Sequence, residues 1–121
     1  MAATIADLGD FTLDVTTTLS NARRKLVATK IDLFLIGIHF DDSHAIDLVH
    51  TVRHNDNYKC SPIVVIRTNA SQYAAMIRQT MVAMKSNRQI EEYLELENEP
   101  DASAIIRAHV GKYVRAITGP I

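Results

Sequence analysis

The sequence has little of what staples, breaks or anchors a chain, and each shortage narrows what it is. A single cysteine, Cys60, in 121 residues excludes an intramolecular disulfide framework and fits a reducing compartment. Only four glycines and three prolines are present, and no low-complexity tract, internal repeat or linker interrupts the chain. A net charge of −1 speaks against a nucleic-acid-binding surface as the main business of the protein. No apolar run reaches the length of a membrane span: the longest, Ile31 to Phe40, stops at Asp41 and Asp42. Asp7 and Asp10 interrupt the start before a signal-peptide core forms. A cytoplasmic protein is the expectation.

What is present is ordinary globular material, 47% hydrophobic and 22% charged, long enough for one domain with a real core. The stretch 31–40 is an almost unbroken apolar run. Its lack of strict alternation predicts a strand buried on both faces, as in a parallel α/β sheet. Before it, residues 1–8 read as the end of a helix stopped at Gly9. Phe11, Leu13 and Val15 alternate with Thr12, Asp14 and Thr16, the period of a strand. A helix follows, capped by Thr18 or Ser20, with Leu19, Ala22, Leu26 and Val27 as its apolar stripe.

After the 31–40 strand, Asp42 or Ser43 caps a helix that turns Ala45, Ile46, Leu48, Val49 and Val52 inward and ends near His54. Residues 55–61 read as a polar loop. Pro62 to Ile66 is a second strand, with proline at its start, where a missing N–H is tolerated. Ser71 opens a long helix with Tyr73, Ile77, Thr80, Met81 and Met84 on one face, running to about Asn87. Glu91 to Leu96 fits a short edge strand. The last helix carries Ala102, Ile105, Ile106, His109, Val110, Tyr113 and Val114 at helical spacing, and Gly119-Pro120 ends it. Strands alternating with helices predict a parallel sheet with helices on both faces.

Asp32-Leu33-Phe34-Leu35-Ile36 followed by Ile38-His39-Phe40 resembles the third strand of bacterial response-regulator receiver domains. Other segments match that family in order. Gly9 to Val15 is similar to its second strand and lead-in, and Asn21 to Leu26 to its second helix. Ala45 to Arg53 resembles its third helix, and Pro62 to Ile66 its fourth strand. Tyr93-Leu94, then Pro100-Asp101 and Ile105-Ile106, resemble its fifth strand and helix. The resemblance implies a flavodoxin-like sheet. It also implies a phosphoryl-accepting aspartate, an acidic pair holding Mg²⁺, a hydroxyl and a lysine, gathered at the carboxyl ends of the strands.

Carried over residue by residue, those parts are missing. The acceptor position is Gly37, and the hydroxyl position is Arg67, with Thr68 one place late. The lysine position is Leu96, with Glu97 where a proline normally follows. The family's first strand, which bears the acidic pair, has no counterpart. Phe11–Val15 is then expected to pair directly with Ile31–His39, or to leave an open edge that recruits a second copy. The resulting expectation is a pseudo-receiver that is not an enzyme and binds no cofactor. It would act in a two-component-type pathway by contact with a signalling partner or as a homodimer, through the open edge or the 71–121 surface, with no nucleic acid and no membrane involved.

Other residues carry alternatives. Asp41, Asp42 and Arg67 would line the vestigial pocket. Asp41 or Asp42 would accept phosphoryl with Mg²⁺ in an active receiver, whereas the simpler reading has them solvate the loop and cap the next helix. Arg67 either holds an anion, pairs with Asp41 or Asp42, or extends to solvent. Asp47, His50 and His54 share a helix face, and His-x₃-His is a metal-ligand spacing, but a solvated face is the simpler reading and no fourth ligand is evident. His39 reads as structural. Cys60 has no partner for catalysis. Met76, Met81 and Met84 read as core, with adaptable partner binding as the alternative.

Overall fold

The computed structural model describes residues 19–28, 30–38, 44–67, 74–97 and 99–118. It divides into two compact units, Thr16–Glu97 and a second of Met1–Val15 with Asn98–Ile121. The first unit runs α1 (Leu19–Ala28), β1 (Phe34–Ile38), α2 (His44–His54), a 3₁₀ turn (Asp56–Tyr58), β2 (Ile63–Arg67), α3 (Ala74–Ser86) and β3 (Glu92–Glu95). The three strands form one parallel sheet in the order β1-β2-β3. The protein is therefore α/β, with a helix in each connection between successive strands, as parallel pairing requires. The expected strand at Phe11–Val15 lies outside the described residues.

The strand buried on both faces is β2, where all five residues are buried. β1 is shorter than the 31–40 run and alternates: Phe34, Ile36 and Ile38 are buried, Leu35 is half-buried and Gly37 is exposed. The continuous apolar run thus does not mean burial on both faces here. The physical reason is position, because β2 has a strand on each side and β1 pairs with β2 alone among the described strands.

One face of the sheet carries the core. Phe34, Ile36, Ile38, Ile63 and Val65 meet Leu26 of α1, Ala45, Val49 and Val52 of α2, and Met81 and Met84 of α3. Ala45, Val49 and Val52 fall at i, i+4 and i+7, which puts them on one stripe. The opposite face carries Val64 and Ile66, at 0% and 1% exposure, beside Glu92 and Leu94 in register. Three expectations change here. Val27 is 82% exposed and Met76 60%, so neither belongs to the core. The 55–61 segment is more than a polar loop: Tyr58 is buried and meets Phe34 edge-on, ring centroids 5.2 Å apart. Its hydroxyl donates to the Leu26 carbonyl at 3.2 Å.

At the amino ends of β2 and β3, Arg53 gathers the loops. Nε donates to the Gln89 carbonyl at 2.8 Å, and one terminal nitrogen donates to the carbonyls of Tyr58 (2.9 Å), Lys59 (3.2 Å) and Ser61 (2.7 Å). The other reaches both Glu91 oxygens, at 2.7 and 3.2 Å. Glu91 Oε1 also accepts from the Ile63 amide at 3.1 Å. A planar fork of donors can serve three chain segments at once, which a lysine cannot. Arg53→Lys is expected to lower unfolding stability by about 2–3 kcal/mol, because several part-buried carbonyls lose their partner. Urea melts of the variant check this through the transition midpoint.

α3 ends in a Schellman turn. The Gln89 amide donates to the Met84 carbonyl at 2.8 Å and the Arg88 amide to the Lys85 carbonyl at 3.1 Å, with Arg88 at φ 61°. A left-handed residue with a Cβ costs roughly 1–2 kcal/mol where glycine would not. Arg88→Gly is expected to raise stability by about 1 kcal/mol, read as a higher urea midpoint at unchanged slope.

In the second unit the described part is a helix, α4 (Ala102–Thr118), whose Ile106, Val110 and Val114 are buried at successive i+4 positions. Ala102, Ile105, His109 and Tyr113 are half-buried beside them, as the spacing predicts. Among the described residues no helix is long and apolar enough to cross a membrane.

Candidate functional site

Parallel strands joined by helices leave a crevice at their carboxyl ends, where α/β folds bind ligands. Here that end is organised by Arg67, the last residue of β2. In register it lies between Ile38 of β1 and Glu95 of β3. Alternation puts Val65 and Arg67 on the core face of the sheet together with Tyr93 and Glu95.

The Arg67 side chain is 3% exposed. Nε donates to the Tyr93 hydroxyl at 3.2 Å, and the two terminal nitrogens donate to Glu97 at 2.9 Å and Glu95 at 3.0 Å. Arg78 of α3 closes the group from outside, donating through Nε and a terminal nitrogen to the two Glu95 oxygens at 2.7 and 2.8 Å. Two guanidinium groups and two carboxylates balance in charge.

The electrostatics follow from this packing. Burial works against the Arg67 charge, but hydrogen bonds to Glu97, Tyr93 and Glu95 outweigh it and hold the pKa above its ordinary value. The Arg78 pair holds the Glu95 carboxyl down at about 2, with burial opposing and Arg67 adding to the effect. Burial raises the Tyr93 phenol, against the pull of the Arg67 hydrogen bond. Arg67 and Glu95 thus keep their charges around neutral pH, and the tyrosine keeps its proton.

Gly37 and Leu96 reach the same end of the sheet. Gly37 pairs with Ile66 across β1 and β2. The Leu96 amide donates to the Arg67 carbonyl at 2.8 Å, and its side chain is buried. The three positions singled out in the sequence therefore gather at the strand ends. Asp41, Asp42 and His39 lie outside the described residues. Asp47, His50 and His54 are all exposed. They do not form a donor set: among the described residues no group of three or more His, Cys, Asp or Glu is placed to hold a metal ion. His54 Nδ1 instead lies 2.7 Å from the His50 carbonyl. Cys60 is exposed and free, on the wall of a cavity of about 660 Å³ that Leu26, Ile31, Tyr58 and Pro62 also line.

Sequence reasoning found Arg67 but missed its carboxylate partners and Arg78. A signal was present: Tyr93, Glu95 and Glu97 recur at every second residue, which places polar groups on one face of a strand end. The chain matches no protein-family model, no curated protein and no solved structure.

Because Glu95 is held below its ordinary 4.5, its ion pairs contribute stability that is fully present above that pH. The contribution fades as pH falls from 4.5 towards about 2. Glu95→Gln is expected to cost about 1–3 kcal/mol at pH 7. Urea melts in a pH series check the form of the effect: the gap between the two proteins narrows steadily in that acid window.

Proposed function

We propose that this chain is a receiver-like, flavodoxin-like module that takes up no phosphoryl group and acts by protein–protein contact in a two-component-type pathway. The observation that carries the reading is the state of Arg67. At the strand end where the receiver pattern keeps a hydroxyl beside the phosphoryl site, a buried guanidinium is neutralised by Glu95 and Glu97. Gly37, at the acceptor position, has no side chain to modify. Leu96, at the lysine position, turns into the interior. Phosphoryl transfer depends on cations and a nucleophile converging on one point, and here the cation is already held by carboxylates.

The parallel order β1-β2-β3 with intervening helices supports the flavodoxin-like assignment. The module would work in the cytoplasm, on a partner or on a second copy, with output set by binding instead of by modification.

Incubation with acetyl phosphate and Mg²⁺, followed by intact-mass measurement, tests this. The expected result is an unmodified chain. A phosphoryl adduct that disappears in Asp41→Asn or Asp42→Asn would overturn the reading in favour of an active receiver.

A further inference from the structure

The end of α2 presents two imidazoles on one side. His50 and His54 are both exposed and stand four residues apart, a spacing that places side chains one above the other on a helix surface. Their ring centroids are 6.3 Å apart. Together with Thr51 and Asn55 they line an open recess. The Thr51 hydroxyl donates to the Asp47 carbonyl and the Asn55 side-chain oxygen accepts from the Asn57 amide, so the imidazoles are what the recess offers an ion. Asp47 does not complete a set of three, since among the described residues no such group is placed to hold a metal. A clamp of two imidazoles leaves the remaining coordination positions to water.

One hydrogen bond sets the chemistry of the pair. His54 Nδ1 lies 2.7 Å from the His50 carbonyl oxygen. That oxygen has only lone pairs to offer, so Nδ1 carries the hydrogen and donates it. In the neutral ring the lone pair then sits on Nε2. Metal-ligating histidines are held in this way: the second ring nitrogen donates to a backbone carbonyl, which fixes tautomer and ring orientation before an ion arrives. Capping of the helix end accounts for a hydrogen-bonding histidine at position 54. It does not account for a second exposed imidazole one turn back on the same face. The centroid separation is about 1 Å wider than that of two rings on one tetrahedral ion with bonds of about 2.0–2.1 Å. An exposed side chain closes such a gap by turning about its χ angles.

We propose that His50 and His54 form a two-point site for a divalent transition-metal ion of the nickel and zinc class. Imidazole nitrogen suits these ions and does not suit Mg²⁺, which takes oxygen ligands. The ion ties together the last turn of α2, beside Arg53, which holds the loops at the amino ends of β2 and β3. Binding the folded chain in preference to the unfolded one, it raises stability by mass action. The site uses none of Gly37, Arg67 or Leu96 and stands whether or not the chain takes up a phosphoryl group.

The test is isothermal titration of the untagged full chain with Ni²⁺, Zn²⁺ and Mg²⁺. Ni²⁺ and Zn²⁺ are expected to bind and to raise the urea midpoint, and Mg²⁺ to do neither. His50→Ala and His54→Ala should each weaken Ni²⁺ about tenfold or more; far-UV circular dichroism verifies that these surface variants fold. Cys60→Ser should bind as the parent does. Substoichiometric Ni²⁺ should broaden ¹⁵N-HSQC amides over residues 47–57 first, and long-range ¹H–¹⁵N spectra in mildly alkaline buffer should find the His54 hydrogen on Nδ1. No binding at millimolar metal, affinity unchanged in either histidine variant, or broadening centred elsewhere would overturn the proposal. So would binding lost in Cys60→Ser, which assigns the ion to the thiol, or a His54 hydrogen found on Nε2 alone.

Discussion

A guanidinium cannot leave water uncompensated, and in this protein one does so at the end of the most buried strand. β2 has no exposed residue from Ile63 to Arg67, and Arg67 is charged at any pH the protein meets. The surroundings are what that constraint requires. β3 must present acceptors on the face that Arg67 occupies, so Tyr93, Glu95 and Glu97 alternate in phase with it. α3 must bring a second cation, because Glu95 and Glu97 together exceed one guanidinium. Arg78 supplies it from the surface. An ion cluster of this kind is weak evidence for net stability, since apolar residues of the same shape often do as well. Its stronger effect is on register. A one-residue slip of β3 would carry Glu95 to the opposite face and leave Arg67 buried without it.

The amino ends of the same strands are held by the same chemistry in another form. Arg53 reaches over the ends of β2 and β3 from the close of α2. It meets backbone carbonyls from two loops and one carboxylate, Glu91, which itself holds the Ile63 amide. The β2–β3 pair therefore has an arginine at each end and an apolar middle. Val65, opposite Tyr93 in register, lies between the two polar groups. This division keeps polar groups where donors and acceptors can be matched and leaves the interior to packing.

Much of the fold was legible in the sequence because its helices obey one period. Ala45, Val49 and Val52, and likewise Ile106, Val110 and Val114, show their buried stripes directly. What failed did so for identifiable reasons. The run 31–40 was read as the doubly buried strand because an apolar run says nothing about neighbours. Val27 and Met76 sit one residue away from positions that are buried or half-buried, Leu26 and Ile77. At that spacing helical phase alone does not separate core from surface. Arg53 was invisible for a different reason: an arginine on a helix near its end reads as solvated, and only the fold brings five acceptor residues around it. Arg67 was legible as unusual, but its partners lie 28 and 30 residues away, beyond any local pattern.

The polar cluster reaches α3 through one residue. Arg78 lies on α3 with its side chain 57% exposed, two positions from Met76 and four from Val82, and its guanidinium holds Glu95. The pair it makes with Glu95 is therefore open to water and salt, whereas Arg67, at 3% exposure, is shielded from both. Salt weakens the outer half of the cluster first, and the inner half still holds β3 in register.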